Sequence, residues 1–153
     1  MFAALVLASA TLAAPTMPAT DGTSRAAVAA YIRQSADIWA KSGMSDRSAE
    51  AALFVADDYR GVSVRGKVRR KADVIGFGPP ADKAAGVFYA DIRFPTPTVA
   101  IAQGEEWVEP GDGSARRRSI WTDVWLFRAG RWRIVTSQDS AVSLDQPLQD
   151  TAP

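Results

Sequence analysis

The chain has 153 residues, enough for one domain with a real core and too few for two. A formal net charge of +1 supplies no field to draw in nucleic acid or an acidic surface. The absence of cysteine and histidine excludes disulfides, thiolate nucleophiles, thiolate or imidazole metal sites and the commonest general base, leaving carboxylates, Lys, Arg, Tyr, hydroxyls and backbone groups for any chemistry.

The opening "MFAALVLASATLAAPTMPATDG" reads as a secretory signal. Its apolar run, residues 2–14, is too short to span a bilayer and gives way to small residues suited to signal peptidase. The expectation is a signal peptide over 1–14 and a Pro/Thr/Gly-rich spacer over 15–23. The mature protein would then be periplasmic or secreted, with no membrane span after cleavage. Ala10 or Ala13 suits the position before the cut, since Pro15 disfavours cleavage directly after Ala14.

The pattern then turns helical. Ser24 can cap a helix in which Val28, Tyr31, Ile32, Ser35, Ile38 and Trp39 recur at three- and four-residue steps, and Gly43 stops it. Ser45 or Asp46 opens a second, shorter helix carrying Ala49, Leu53 and Phe54, expected to end at the acidic pair Asp57-Asp58. "YRGVSVRGKVRR" alternates around Arg65-Gly66 and predicts a hairpin, and "KADVIGFG" predicts a third helix closed by Gly78-Pro79-Pro80. The remainder is β: "GVFYADIRF", "TPTVAIAQGEEWVEP" and a last pair of strands entered through the loop "PGDGSA". The faces of Glu105, Glu106 and Trp107 do not follow from the pattern. The basic runs Arg69-Arg70-Lys71 and Arg116-Arg117-Arg118 read as solvated strand ends. A polar tail over 141–153 is expected to be flexible. Helices followed by mostly antiparallel strands predict an α+β domain over 24–140, its helices packed on one face of a curved sheet.

The final hairpin, "SIWTDVWLFRAGRWRIVTSQDS", carries Trp121, Asp123, Trp125 and Phe127 on one strand face and Ile120, Thr122, Val124 and Leu126 on the other. Arg128-Ala129-Gly130 fits a three-residue loop, which would set Trp125 opposite Arg133, Asp123 opposite Val135 and Trp121 opposite Ser137. A two-residue loop would shift the partners by one and bring Trp132 and Ile134 to the tryptophan face.

The long first helix, the segment "ALFVADDYRGVSVRGK" and the ending "TDVWLFRAGRWRIVTSQ" resemble the nuclear-transport-factor-2-like superfamily, and within it the SnoaL-like and ketosteroid-isomerase-like branch, over roughly residues 24–140. The resemblance implies a cone-shaped α+β barrel in which helices are closed by a strongly bent sheet, with a pocket between them and a homodimeric habit. By position, Asp123 falls where steroid isomerases keep a neutral carboxylic acid that donates to an oxyanion. Their catalytic base falls at Ser63 and their oxyanion tyrosine at Trp39, neither of which transfers a proton at neutral pH. The implied pocket is lined by Trp39, Tyr59, Ser63, Trp121, Trp125 and Ser137 around Asp123, and suits a small apolar or aromatic molecule with one hydrogen-bonding group. Tryptophans at strand spacing also build cores, and Asp123 has a structural alternative in pairing with Arg93 or Arg133. Three functions follow: an exported small-molecule-binding domain, a cofactor-independent isomerase or lyase of the dehydratase or cyclase type using Asp123 as its acid/base, or an association module with a vestigial pocket. None of them calls for a metal or a cofactor.

Overall fold

The computed structural model describes residues 24–45, 47–75 and 79–147; the expected signal peptide and spacer, Asp46, Gly78 and the end of the tail lie outside them. Ser24 caps helix α1 (Arg25–Ala40), its Oγ accepting from the Ala27 amide at 3.2 Å. The apolar stripe expected at helical spacing is the buried one, Val28, Tyr31, Ile32 and Ile38 facing the sheet. Beyond Ala40 the chain tightens into a 3-10 turn, Lys41–Gly43, before the short α2 (Ser48–Phe54).

The acidic pair does not end that helix. Phe54, Val55 and Ala56 all lie at 0 % exposure, and three consecutive buried residues cannot share one helix face. The chain instead passes straight into strand β1 (Val55–Val62), which carries Asp57 and Asp58 on its exposed side. There Asp57 pairs with Lys71 at 2.7 Å and Arg133 at 3.6 Å, and Asp58 with Arg128 at 2.9 Å. A turn with Gly66 in the left-handed region leads to β2 (Val68–Arg70) and the third helix, α3 (Lys71–Ile75), as the alternation predicts.

Four long strands complete the sheet: β3 (Asp82–Thr96), β4 (Val99–Pro110), β5 (Arg117–Arg128) and β6 (Arg131–Val142). The order is β2-β1-β6-β5-β4-β3, with β1 parallel to β6 and every other neighbour antiparallel. Helices followed by one mixed, curved sheet form the expected α+β cone. No helix among the described residues is long and apolar enough to cross a membrane.

The last hairpin corrects the expected register. Arg128 faces Arg131 across a two-residue turn in which Ala129 (φ 50°) and Gly130 (φ 73°) both take positive φ, the turn whose twist matches that of the strands. Phe127 therefore meets Trp132 and Trp125 meets Ile134. A β-bulge then shifts the register at Val135, so that Asp123 meets Ser137 and Trp121 meets Asp139.

Trp125, fully buried, is the centre of the core. Tyr31 from α1 meets it edge-on at 5.8 Å, and Phe54 from α2 leans on it at 6.2 Å. The other strand face, Ile120, Thr122, Val124 and Leu126, is half-buried. Of the basic runs, Arg70, Arg116 and Arg117 are exposed, as expected of solvated strand ends, whereas Arg118 is drawn into the structure. Arg118 is buried against Glu105, lies over the Phe88 ring at 5.9 Å and donates to the carbonyl of Gln146 at 2.6 Å. Its bonds to Ser143, Gln146 and Pro147 tie the first part of the tail across the end of the sheet, where the sequence suggested flexibility.

Trp132, 5 % exposed, packs against Phe127 at 5.5 Å and Phe94 at 6.2 Å. Trp132→Ala is expected to cost about 3–5 kcal/mol, the range for truncating a buried aromatic. An unchanged urea midpoint would show that this cluster contributes little.

Candidate functional site

Strand alternation brings Trp121, Asp123 and Trp125 of β5 to the concave face, and β4 sets a small residue opposite each: Gly104, Ala102 and Ala100. The pairing makes room for the large groups. A Cβ at Gly104 would lie 2.3 Å from the Trp121 ring, so only glycine lets that indole lie flat on β4. Gly61 of β1 does the same for a second pair. A side chain there would come within 2.0 Å of the Tyr59 hydroxyl and 2.7 Å of Ser137 Oγ, two groups that are hydrogen-bonded to each other.

These residues enclose a cavity of about 50 Å³ under α1. Trp39 and Ala36 of α1 and Val74 of α3 close it from the helical side. Tyr59, Trp121, Asp123 and Ser137 form its sheet side, joined by Glu106 of β4, Asp139 of β6 and Arg69 of β2. Past Arg69, Glu106 and Asp139 the concave face opens into a groove of about 390 Å³.

Of the residues expected from sequence, Trp39, Tyr59, Trp121, Asp123 and Ser137 border the cavity together. Trp125 does not border it; it fills the core one layer deeper, its indole N–H without a partner. Ser63 does not reach it either. Its hydroxyl accepts from the Arg65 and Lys67 amides within the β1–β2 turn, at the rim of the outer groove. The sequence missed Glu106, Asp139 and Arg69. Glu106 follows from the β4–β5 register, in which it faces Ser119 on the concave side. Asp139 depends on the Val135 bulge, which has no local signature. Arg69 looked like part of a solvated run.

The cavity's electrostatics are unusual for its size. Asp123 is 8 % exposed and accepts no hydrogen bond from the described residues; Arg133 is turned to Asp57 and Arg93 to Gln103. Burial, reinforced by the charges of Asp139 and Glu106, holds its carboxyl well above the usual carboxylate range. Burial also pushes Glu106 up to about 7, opposed by its 3.0 Å bond from Ser119 and reinforced by Asp139. Asp139 is raised by burial and drawn back by Arg69. Tyr59, raised by burial, stays protonated and able to donate at neutral pH. Two acids of high pKa beside a phenol and a serine can hold, donate or accept protons next to an aromatic wall. Among the described residues no group of acidic side chains is placed to hold a metal ion.

No protein-family model matches the chain, and no curated protein sequence does. Solved structures do. LinA superposes with a TM-score of 0.63 at 13% identity, over 84% of this chain and 97% of that one. A nuclear transport factor 2-like superfamily protein from Salmonella enterica serovar Typhimurium gives 0.61 at 14% identity, over 80% and 96%. A putative Ca/calmodulin-dependent kinase II association domain from Exiguobacterium sibiricum gives 0.63 at 9% identity, over 79% and 96%. This chain has the nuclear-transport-factor-2-like fold.

The buried acids also set the pH response of folding. A carboxyl whose folded pKa lies above its unfolded value stabilises the fold below the unfolded pKa and loses that contribution as pH rises through the folded one. For Glu106 the window runs from 4.5 to about 7, worth at most about 3 kcal/mol. Exposed carboxylates such as Asp57 and Asp58, held low by hydrogen bonds from Lys71 and Arg128, act in the opposite sense at more acid pH. Maximal thermal stability is therefore expected in mildly acid buffer, declining toward pH 8. Glu106→Gln should flatten that decline, and melting curves across pH check it; an unaltered slope in the variant would show Glu106 to be solvated.

Proposed function

We propose that the protein is a small-molecule-binding domain whose aromatic cavity receives a polar end group at Asp123. The observation that carries this is the Asp123 carboxyl itself, nine-tenths buried, without a hydrogen-bond partner among the described residues, and bordering a cavity. A carboxyl at the wall of a cavity can exchange a hydrogen bond with a molecule that enters it, which supports a ligand there. Trp39, Tyr59 and Trp121 supply apolar walls for that ligand, and the adjoining groove supplies room for its body. A thermal-shift screen of small aromatic and lipid-like compounds is expected to yield stabilising ligands, because binding to the native state raises the melting temperature. Asp123→Leu should abolish those shifts. A Leu variant that responds to the same compounds as the parent would make Asp123 purely structural.

Glu106 favours a second reading, that of an isomerase or lyase. With a pKa of about 7 beside Asp123, whose carboxyl burial holds well above the usual carboxylate range, it is suited to proton exchange with a bound molecule. In that case Glu106→Gln abolishes turnover of a ligand that it still binds, whereas a pure binding domain shows no turnover in either form.

Export and self-association extend the proposal. The half-buried apolar row Ile120, Val124 and Leu126 on the outer face suits a second copy of the chain. N-terminal sequencing of protein from its native host should find a start between Thr11 and Thr20, and light scattering should give a dimer's mass. An intact Met1 on soluble protein and a monomer's mass would count against these two points respectively.

A further inference from the structure

We infer that the end group this cavity takes is an organic cation, the ammonium of a slender primary amine, bound between the aromatic walls and the carboxyls of Asp123 and Glu106. The inference rests on the binding reading above and names its ligand class. Among the described residues three carboxyl groups, Glu106, Asp123 and Asp139, border the cavity with a single guanidinium, that of Arg69. Arg69 is itself held at the rim by a 2.8 Å bond to the Asp73 carbonyl. The chamber thus holds more acids than cations. A bound ammonium adds a cation, donates to Asp123, which has no partner among the described residues, and meets the π surface of Trp39, Tyr59 and Trp121. An anion would face three acids. A neutral carbonyl would engage one donor and leave the others without a partner in the ligand.

Size points the same way. At about 50 Å³ the chamber is much smaller than the adjoining groove and suits the end group of a ligand rather than its whole body. The body of the molecule then lies in the 390 Å³ groove, which shares Arg69, Glu106 and Asp139 with the chamber as lining. The groove's other arginines are already engaged: Arg116 with Glu109 at 3.4 Å, Arg117 with Asp82 at 3.5 Å, and Arg118 with Glu105. They leave the groove less hostile to a cation than its composition suggests.

Protons and the ammonium compete for the same carboxyls. The groups facing Asp123 are Tyr59 from β1, Arg69 from β2, Glu106 from β4 and Asp139 from β6, while α1 and α3 present only Ala36, Trp39 and Val74. Raising the pH removes the competing proton from the acids while an alkylammonium stays charged, so affinity rises with pH. For each proton displaced the rise approaches about tenfold per pH unit below the pKa of the group involved.

The test is calorimetric titration of the purified protein with 2-phenylethylamine and with its uncharged counterpart 2-phenylethanol, at mildly acid and mildly alkaline pH. The amine is expected to bind at least about tenfold more tightly than the alcohol, and more tightly as pH rises. Asp123→Asn and Glu106→Gln should each weaken the amine about tenfold or more and leave the alcohol unchanged. Both keep shape and remove a desolvated acid, and circular dichroism melts verify that they fold. An alcohol that binds as well as the amine, or an amine indifferent to Asp123→Asn, overturns the cation while leaving the cavity's binding role in place. If neither compound binds the parent, the inference falls and the cavity's binding role falls with it.

Discussion

A carboxyl group without a counter-ion, sealed under a helix, is the constraint that the rest of this molecule answers to. Ionised and unpaired at Asp123, it would cost the fold several kcal/mol, comparable with the whole net stability of a domain this size. The protein meets that cost by raising the carboxyl's pKa, which favours the neutral form, and by placing the group at a cavity wall rather than within packed side chains. The surrounding construction serves the same end. The row Ala100-Ala102-Gly104 makes β4 thin beneath β5, Gly61 leaves the Tyr59–Ser137 pair its space, and Trp125 plugs the floor. Each small residue lies opposite a large or polar one, so the void is a product of pairing rather than of loose packing.

Glu105 and Glu106 show how finely the sheet separates structural charge from available charge. Neighbours on β4, they face opposite sides. Glu105, at 0 % exposure, is bound by Arg118, whose remaining donors hold the chain from Ser143 to Pro147. That charge is spent on architecture, and removing one partner would strand the other. Glu106 meets only a serine hydroxyl, and its pKa drifts toward neutrality. Two chemically identical residues thus have different roles because one residue of strand separates them.

This separation explains what was legible in the sequence. Helix α1 was readable because its stripe and its Ser24 cap are local, and so was the shared face of Trp121 and Asp123, fixed by period-two alternation within one strand. The acidic pair was misjudged because burial of Phe54, Val55 and Ala56, a tertiary demand, overrode the local helix-ending signal of two aspartates. The hairpin loop was misjudged because Ala129 occupies a left-handed position where glycine or asparagine is the usual marker. Glu106, Asp139 and Arg69 come to the cavity from three different strands, and their meeting depends on inter-strand register, which no single strand encodes.

The bulge at Val135 carries a consequence for how such a cavity diversifies. With the two-residue turn and no bulge, the residues facing Asp123 and Trp121 would be Thr136 and Gln138 instead of Ser137 and Asp139. One of the three acids would be replaced by an amide, and the partner of Tyr59 would change, without any substitution on the concave face. In this hairpin the number of residues between two strands, as much as their identity, writes the polarity of the chamber. Insertion and deletion are then as direct a route to a new ligand as mutation of the residues that touch it.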